Sequence, residues 1–266
     1  MELILFTIFI FGTFVGSFLN VIVDRTNAKE AFLFGRSHCD YCKKQLKVID
    51  LIPVLSFVLL NAKCRYCQKK LNIYYPITEI LTGLIFTLSA IKAFNHVQIS
   101  EFAISDVFLI LLLFYISSVL IIIFFTDMKF GLIPFWAVAS GIVVILLIHL
   151  FFPISENSLN NYFLSAIGVF MGFLLIFLIT KGHGMGFGDV VYVLFMGLLL
   201  GFPLVILGLY IAFLSGALIS LILVALKRKK LKGDSIPFGP FLILGTWIAF
   251  YWGDIVMEYI LAYLLT

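Results

Sequence analysis

Long runs of apolar residues alternate along the chain with short stretches rich in glycine, proline or charge. A helix of about 20 apolar residues is long enough to cross the hydrocarbon core of a bilayer. We therefore expect an all-α polytopic membrane protein with about eight transmembrane helices. Their predicted bounds are 3–23, 76–94, 105–126, 132–152, 160–180, 188–201, 204–226 and 239–264. Gly201 and Pro203 interrupt the apolar residues 190–226, which favours two helices there, with one kinked helix as the alternative.

The composition supports a membrane location. Hydrophobic residues make up 63% of the 266 residues and charged residues 12%, which excludes a soluble globular protein because such a protein needs more polar surface. Met1 and Glu2 precede the first apolar run without a basic residue. We therefore expect this helix to remain in the mature protein rather than to act as a cleaved signal peptide. Gly12, Gly16 and Ser17 lie on it at positions typical of helix packing.

Basic residues predict the orientation, because they concentrate on the cytoplasmic side of membrane proteins. Ten of them lie between the first two predicted helices: Arg25, Lys29, Arg36, Lys43, Lys44, Lys47, Lys63, Arg65, Lys69 and Lys70. Lys129, Lys181 and the run 227–232 fall on the same side by alternation, which places the N-terminus outside. The run 227–232 is predicted to contact anionic membrane lipid. The formal net charge of +4 therefore needs no nucleic-acid partner.

Four cysteines predict a metal site in the basic segment. They form two pairs, Cys39-x2-Cys42 and Cys64-x2-Cys67, separated by 21 residues. Two such pairs suit tetrahedral zinc, and a site closed by four thiolates indicates a structural ion. Disulfides are the alternative, which a reducing cytosol disfavours. Four basic residues nearby are predicted to favour the thiolate form: Lys43, Lys44, Arg65 and Lys69.

The predicted organisation has three parts. Residues 1–23 form the first transmembrane helix, residues 24–75 form a small zinc-ribbon-like cytoplasmic insertion, and residues 76–266 form the remaining transmembrane domain. Of the fourteen acidic residues, six fall on the outer side by alternation. Five more lie in polar cytoplasmic stretches, where we expect them to be solvated: Asp24, Glu30, Asp40, Asp50 and Asp234. Glu79, Asp127 and Asp189 remain.

Asp127 and Asp189 stand at the cytoplasmic ends of apolar runs, where a carboxylate is costly unless it has a function. If their helices bring both side chains to one place, the pair shares a proton, so that one carboxyl acts as a base and the other as an acid. Such a pair hydrolyses peptide bonds in aspartic proteases. Gly184, Gly186 and Gly188 precede Asp189 and are predicted to allow positive φ angles. A helix cap at Asp189 is the alternative interpretation.

Six ordered motifs resemble the type IV prepilin peptidases, which are membrane aspartic proteases of the GxGD class. The motifs are residues 16–21 with Arg25, the two cysteine pairs, Tyr75-Pro76 with Glu79, residues 127–134, residues 184–189 and residues 237–241. The resemblance implies a bacterial inner-membrane enzyme that removes the leader from prepilin or pseudopilin precursors on the cytoplasmic side. It implies that Asp127 and Asp189 are the catalytic residues.

The resemblance also implies a second activity. In many members of that family the new N-terminus is methylated with S-adenosylmethionine, and the cysteine segment with Glu79 and Asn20 matches the region linked to this reaction. A peptidase without methyltransferase activity is one alternative. A proton-coupled transporter that uses the same intramembrane acids is another.

Overall fold

The computed structural model describes residues 1–28, 37–39, 41–96, 104–152, 156–226 and 237–264. Within them the protein is helical, and pairing between extended segments is limited to two isolated antiparallel bridges. Several residues used in the sequence predictions lie outside the described residues: Lys29, Glu30, Arg36, Asp40, the run 227–232 and Asp234.

The described helices follow the predicted order. The eight long ones are α1 (Glu2–Ala28), α3 (Tyr74–His96), α4 (Ile104–Phe130), α5 (Phe135–Phe151), α6 (Glu156–Ile179), α7 (Phe187–Leu200), α8 (Leu204–Ala225) and α9 (Gly239–Leu264). A 3-10 turn, η1 (Val48–Leu51), and a short helix, α2 (Leu55–Leu59), lie between α1 and α3. Six of the long helices are long and apolar enough to cross a bilayer, while α5 and α7 are apolar but shorter. The all-α polytopic prediction is confirmed.

The apolar residues 190–226 form two helices, so the kinked-helix alternative is wrong. α7 ends at Leu200, Gly201 adopts a φ of 65°, and α8 begins after Pro203. A glycine with positive φ is a common end for a helix, and a proline shortly after it cannot continue the helix. The Asn161 side chain donates a hydrogen bond to the Phe202 carbonyl at 2.7 Å and holds this turn.

The chain divides into two compact units, Met1–Ile122 and Ile123–Thr266. In the first unit, glycines let α1 and α3 approach closely. A Cβ atom added to Gly12 would lie 2.7 Å from Gly83 Cα, and one added to Gly16 would lie 2.8 Å from Glu79 Cα. Such small residues permit close helix packing inside a membrane. The predicted packing role of Gly12 and Gly16 is confirmed.

In the second unit, α7 is the buried helix. Val190, Tyr192, Val193, Phe195 and Met196 on this helix are all fully buried. α7 packs against α5, α6, α8 and α9. A helix surrounded in this way has its first turn fixed by its neighbours, and that turn carries Asp189.

Candidate catalytic sites

Asp127 lies in the last turn of α4, where the helix ends in a defined way. The Gly131 N–H donates to the Asp127 carbonyl oxygen at 2.8 Å, and Gly131 has a φ of 64°. This is a common C-terminal cap, and Pro134 then precedes α5. The Asp127 side chain is buried, with 5% of its surface exposed. The C-terminal cap of α4 therefore fixes the backbone that carries this carboxyl group.

Asp189 lies in the first turn of α7 and is also buried, with 7% of its surface exposed. The Gly186 N–H donates to Asp189 Oδ2 at 3.1 Å. An acidic side chain that accepts from the residue before the helix is one half of a capping box. Asp189 therefore does cap α7, as the alternative interpretation expected, and this hydrogen bond also holds its carboxyl group in one orientation.

The two carboxyl groups lie close enough to interact electrostatically. Oδ2 of Asp127 is buried and has no hydrogen-bond partner among the described residues. A buried carboxylate oxygen without a donor is energetically costly. Both carboxyl groups are therefore buried, and Oδ2 of Asp127 remains available to a further hydrogen-bonding group.

The glycines before Asp189 act differently from the prediction. Positive φ angles in this connection belong to Lys181 and Gly182, which end α6, whereas Gly184, Gly186 and Gly188 do not adopt positive φ. The prediction of positive φ at these three positions is therefore wrong. At Gly184 and Gly188 the small size matters instead for packing.

A Cβ atom added to Gly188 would lie 2.9 Å from the side chain of Ile133, and one added to Gly184 would lie 3.0 Å from that of Thr180. Gly186 is extended, with φ −74° and ψ 149°. The absence of a side chain at Gly188 lets the start of α7 approach the segment that follows Asp127. That close approach is what brings Asp189 towards the end of α4.

The four cysteines form one cluster. A ligand atom from each of Cys39, Cys42, Cys64 and Cys67 lies within 4.8 Å of the others, and Cys39 Sγ is 3.9 Å from Cys67 Sγ. Zinc–sulfur bonds of about 2.3 Å in a tetrahedron require sulfur–sulfur distances of about 3.8 Å. The cysteines are not paired in disulfides. The donor set and its dimensions therefore fit one tetrahedral metal ion.

The two cysteine knuckles are copies of one turn. Cys-x-Tyr-Cys-x-Lys-x-Leu occurs at 39–46 and again at 64–71. In each copy the first cysteine exchanges backbone hydrogen bonds with residues four and five positions later. The copies also contact each other, because Lys44 lies over the Tyr66 ring and Lys69 lies over the Tyr41 ring. These cation–π contacts favour a closed pair of knuckles.

The thiols differ in acidity for reasons of burial and backbone geometry. Burial raises the pKa of Cys39 to about 11. Burial also opposes ionisation of Cys64, but the backbone N–H groups of Cys67 and Tyr66 outweigh it and lower the pKa of Cys64 to about 7. The sequence predicted that nearby basic side chains favour the thiolate form, but they are not what lowers the pKa of Cys64. Lys44 and Lys69 lie over aromatic rings, and Arg65 pairs with Asp50 at 2.6 Å.

A cavity of about 270 Å³ lies in the first unit, between the cysteine segment and the facing ends of α1 and α3. Asn20 and Glu79, both singled out from the sequence, line it. Glu79 is 7% exposed, and its Oε2 accepts a hydrogen bond from the Val54 N–H at 2.7 Å. Asn20 donates to the Tyr75 carbonyl oxygen at 3.3 Å, while its buried Oδ1 has no partner among the described residues. The cavity therefore presents a carboxylate and an unused acceptor.

Charged side chains also line this cavity. Asp50 was expected to be solvated, and that expectation is wrong. Asp24 accepts a hydrogen bond from the Tyr75 hydroxyl at 3.2 Å, and the Asp50 side chain is 3% exposed in its ion pair with Arg65. Hydrogen bonds from Arg65 and the Lys47 backbone overcome the effect of burial and lower the pKa of Asp50. Arg25 is also buried at the cavity wall.

Comparison with known proteins adds an independent observation. The family described as Bacterial Peptidase A24 N-terminal domain matches residues 10–93, and the Type IV leader peptidase family matches residues 114–221. A relative from Legionella pneumophila is 30% identical over 96% of this chain and 93% of its own length. The chain belongs to the type IV leader peptidase family.

The relatives of this leader peptidase family member span nearly its whole length. One from Bacillus subtilis (strain 168) is 29% identical over 95% of this chain and 96% of its own. One from Pseudomonas aeruginosa is 27% identical over 91% and 88%. These relatives and the Legionella protein carry the name prepilin leader peptidase/N-methyltransferase. No solved structure gives a significant match.

The matched regions of this family member divide between the two sites. Residues 10–93 include the cysteine cluster and the cavity residues Asn20 and Glu79, while residues 114–221 include Asp127 and Asp189. Gly239 and the rest of the motif at 237–241 lie beyond both matches.

Proposed function

We propose that this protein is a prepilin leader peptidase whose catalytic residues are Asp127 and Asp189. The observation that carries the proposal is the buried pair of carboxyl groups at the end of α4 and the start of α7. Peptide-bond hydrolysis by two aspartates requires such a pair, and membership of the type IV leader peptidase family supports prepilin or pseudopilin precursors as substrates.

The geometry supports a defined division of labour. Two close carboxyl groups favour a state with one negative charge. The ionised aspartate removes a proton from a water molecule, whose oxygen bonds to the carbonyl carbon of the substrate, while the protonated aspartate donates its proton to the carbonyl oxygen. The resulting tetrahedral diol then breaks its C–N bond as the leaving nitrogen receives a proton. The Gly186 hydrogen bond keeps Asp189 oriented throughout.

The proposed location is the cytoplasmic membrane of a bacterium, with the N-terminus outside and both aspartates on the cytoplasmic side. The basic residues of the cysteine segment support this orientation. By this topology the carboxyl end of α4, which carries Asp127, and the amino end of α7, which carries Asp189, are both cytoplasmic. Cleavage then takes place beside the inner surface of the bilayer.

We further propose N-methylation of the new N-terminus at the cavity of the first unit. S-adenosylmethionine supplies a methyl group on a positively charged sulfur, together with an amino-acid end, a ribose and an adenine. Glu79 and Asp24 offer carboxylates for the cationic and hydroxyl groups, Arg25 offers donors for a carboxylate, and Asn20 offers an acceptor. Apolar side chains such as Phe57 and Leu51 form other parts of the wall.

The cysteine cluster supports a structural zinc ion. Cys39, Cys42, Cys64 and Cys67 provide four sulfur ligands, and a site closed by four thiolates has no open position for a substrate. Cys39 and Cys64 also line the cavity. The metal would therefore stabilise one wall of the proposed methyl-donor site.

A cleavage assay with a purified prepilin in proteoliposomes tests the peptidase. Asp127→Asn and Asp189→Asn are each expected to lower the cleavage rate by at least about 10²–10⁴-fold, the contribution typical of an acid or base. Asp106→Asn is the matched control, because this acid lies in the first turn of the same helix as Asp127. Cleavage that survives both substitutions at Asp127 and Asp189 would show that the peptidase assignment is wrong.

A further inference from the structure

The amino end of α9 lies directly against the Asp127 side chain. α9 begins at Gly239. A Cβ atom added to Gly239 would lie 2.5 Å from Asp127 Oδ2 and 2.9 Å from Asp127 Cγ. Real Cβ atoms do not approach heavy atoms so closely. A side chain at position 239 is therefore incompatible with the observed position of the Asp127 carboxyl group.

The Asp127 side chain is buried, and its contact with the amino end of α9 extends beyond the carboxyl oxygens. The added Cβ at Gly239 would also lie 3.3 Å from Asp127 Cβ, so that rotation of the carboxyl group alone would leave a tight contact. A larger residue at 239 must therefore displace the carboxyl group, the start of α9, or both.

Gly239 also contributes the free amide at this end of the helix. Pro240 has no N–H, and the N–H groups of Phe241 and Leu242 donate to the Phe238 carbonyl oxygen at 3.1 and 3.2 Å. The Gly239 N–H interacts electrostatically with the Asp127 carboxyl group, although the geometry falls short of a hydrogen bond to Oδ2. The positive end of the α9 dipole therefore faces the proposed catalytic carboxylate.

We propose that Gly239 is a positioning residue for peptide-bond cleavage: because it has no side chain, the amino end of α9 can hold the Asp127 carboxyl group beside Asp189. The proposal rests on the proposed peptidase function. It gives a role to the motif at 237–241, since Pro240 removes a competing amide and Gly239 provides the space.

Kinetics of prepilin cleavage by Gly239→Ala test the proposal. The kcat is expected to fall on the order of 100-fold, the loss that a displacement of about 1 Å can cause at a catalytic group, while KM stays close to that of the unchanged protein. Gly216→Ala is the matched control. It also adds a methyl group to a buried glycine near this motif, but at an ordinary 3.4 Å from the Phe241 side chain. Its kcat is expected to remain within about threefold, since ordinary contacts cost little.

A second measurement tests the contact itself without depending on activity. Gly239→Ala is expected to lower the melting temperature, and the same change made in Asp127→Ala is expected to lower it much less, because the colliding carboxyl group is gone. Such coupling identifies two residues that interact directly. If Gly239→Ala does not fold, recovery of a folded protein in the double variant supports the proposal, and its failure to recover overturns it.

The outcomes separate this proposal from the one on which it rests. If Asp127→Asn and Asp189→Asn abolish cleavage while Gly239→Ala keeps the kcat of the unchanged protein, Gly239 is not a positioning residue and the peptidase assignment stands. An increase in KM with unchanged kcat would likewise overturn the positioning role. If neither aspartate is needed for cleavage, the peptidase assignment itself fails.

Discussion

Val54 has an unusual backbone conformation and holds the Glu79 carboxylate of the cavity in place. Val54 has φ 60° and ψ −50°, and the Leu55 N–H donates to the Pro53 carbonyl oxygen at 2.5 Å. This is the rare form of γ-turn, and a β-branched residue at positive φ is a true outlier. The same Val54 presents its N–H to Glu79. Backbone strain at this position therefore accompanies the orientation of the proposed methyltransferase carboxylate.

Replacement of Val54 tests whether this strain is real. Val54→Gly removes about 1–3 kcal/mol of strain and costs about 0.5–1 kcal/mol in chain entropy. We therefore expect its melting temperature in detergent to be equal to or higher than that of the unchanged protein. Val58→Gly is the control, because Val58 is 63% exposed within the regular helix α2. It should lower the melting temperature, and an equal loss for both variants would contradict a strained turn.

The residues that could be predicted from the sequence differ from those that could not in a simple physical way. Asp127 and Asp189 interrupt apolar runs, so their burial cost is visible in the sequence itself. Asp50 lies in a segment rich in basic residues, where an acid ordinarily needs no explanation. Its burial arises when the cysteine segment folds over the ends of α1 and α3. No local pattern contains that information.

At the scale of elements, the apolar runs predicted the eight long helices to within a few residues. The end of α7 was marked by Gly201 and Pro203, and the packing of α1 by Gly12 and Gly16. The connection before α7 was predicted less well, because the sequence does not say which of several neighbouring glycines turns the chain. Gly182 takes the positive φ, and Gly188 is required by the close approach of Ile133.

The paired cysteine knuckles form the element whose stability is most directly testable. Cys39→Ser and Cys64→Ser should each lower the zinc content of the purified protein from about one ion per chain towards zero, because a structural site uses four ligands. Inductively coupled plasma mass spectrometry measures the ratio. Lys44→Ala is the matched control, since it removes a contact between knuckles but no ligand. Stoichiometric zinc in both serine variants would rule out the four-thiolate site.

On the scale of the whole molecule, each proposed activity is built within one compact unit. The cavity and the cysteine cluster belong to Met1–Ile122, and the aspartate pair with Gly239 belongs to Ile123–Thr266. The division of the chain into residues 1–23, 24–75 and 76–266 stays a prediction. The cavity draws on all three of those parts, because Asn20, Asp50 and Glu79 line it together. Two chemistries in two units should respond separately to substitution.

Substitutions in the two sites should therefore separate cleavage from methylation. Glu79→Gln keeps an acceptor for the Val54 N–H but loses its charge, so methylation should fall about 10–100-fold, the value of a hydrogen bond to a charged group, while leader removal continues. Asp189→Asn should abolish leader removal from the precursor. It should still methylate a synthetic peptide that already begins at the mature N-terminus. Mass spectrometry of the products, with and without S-adenosylmethionine, distinguishes the two results.

Asp106→Asn should retain both activities. If either variant is folded and has lost both activities, the two sites are not independent, because a carboxyl group that acts in one reaction alone cannot be needed for the other.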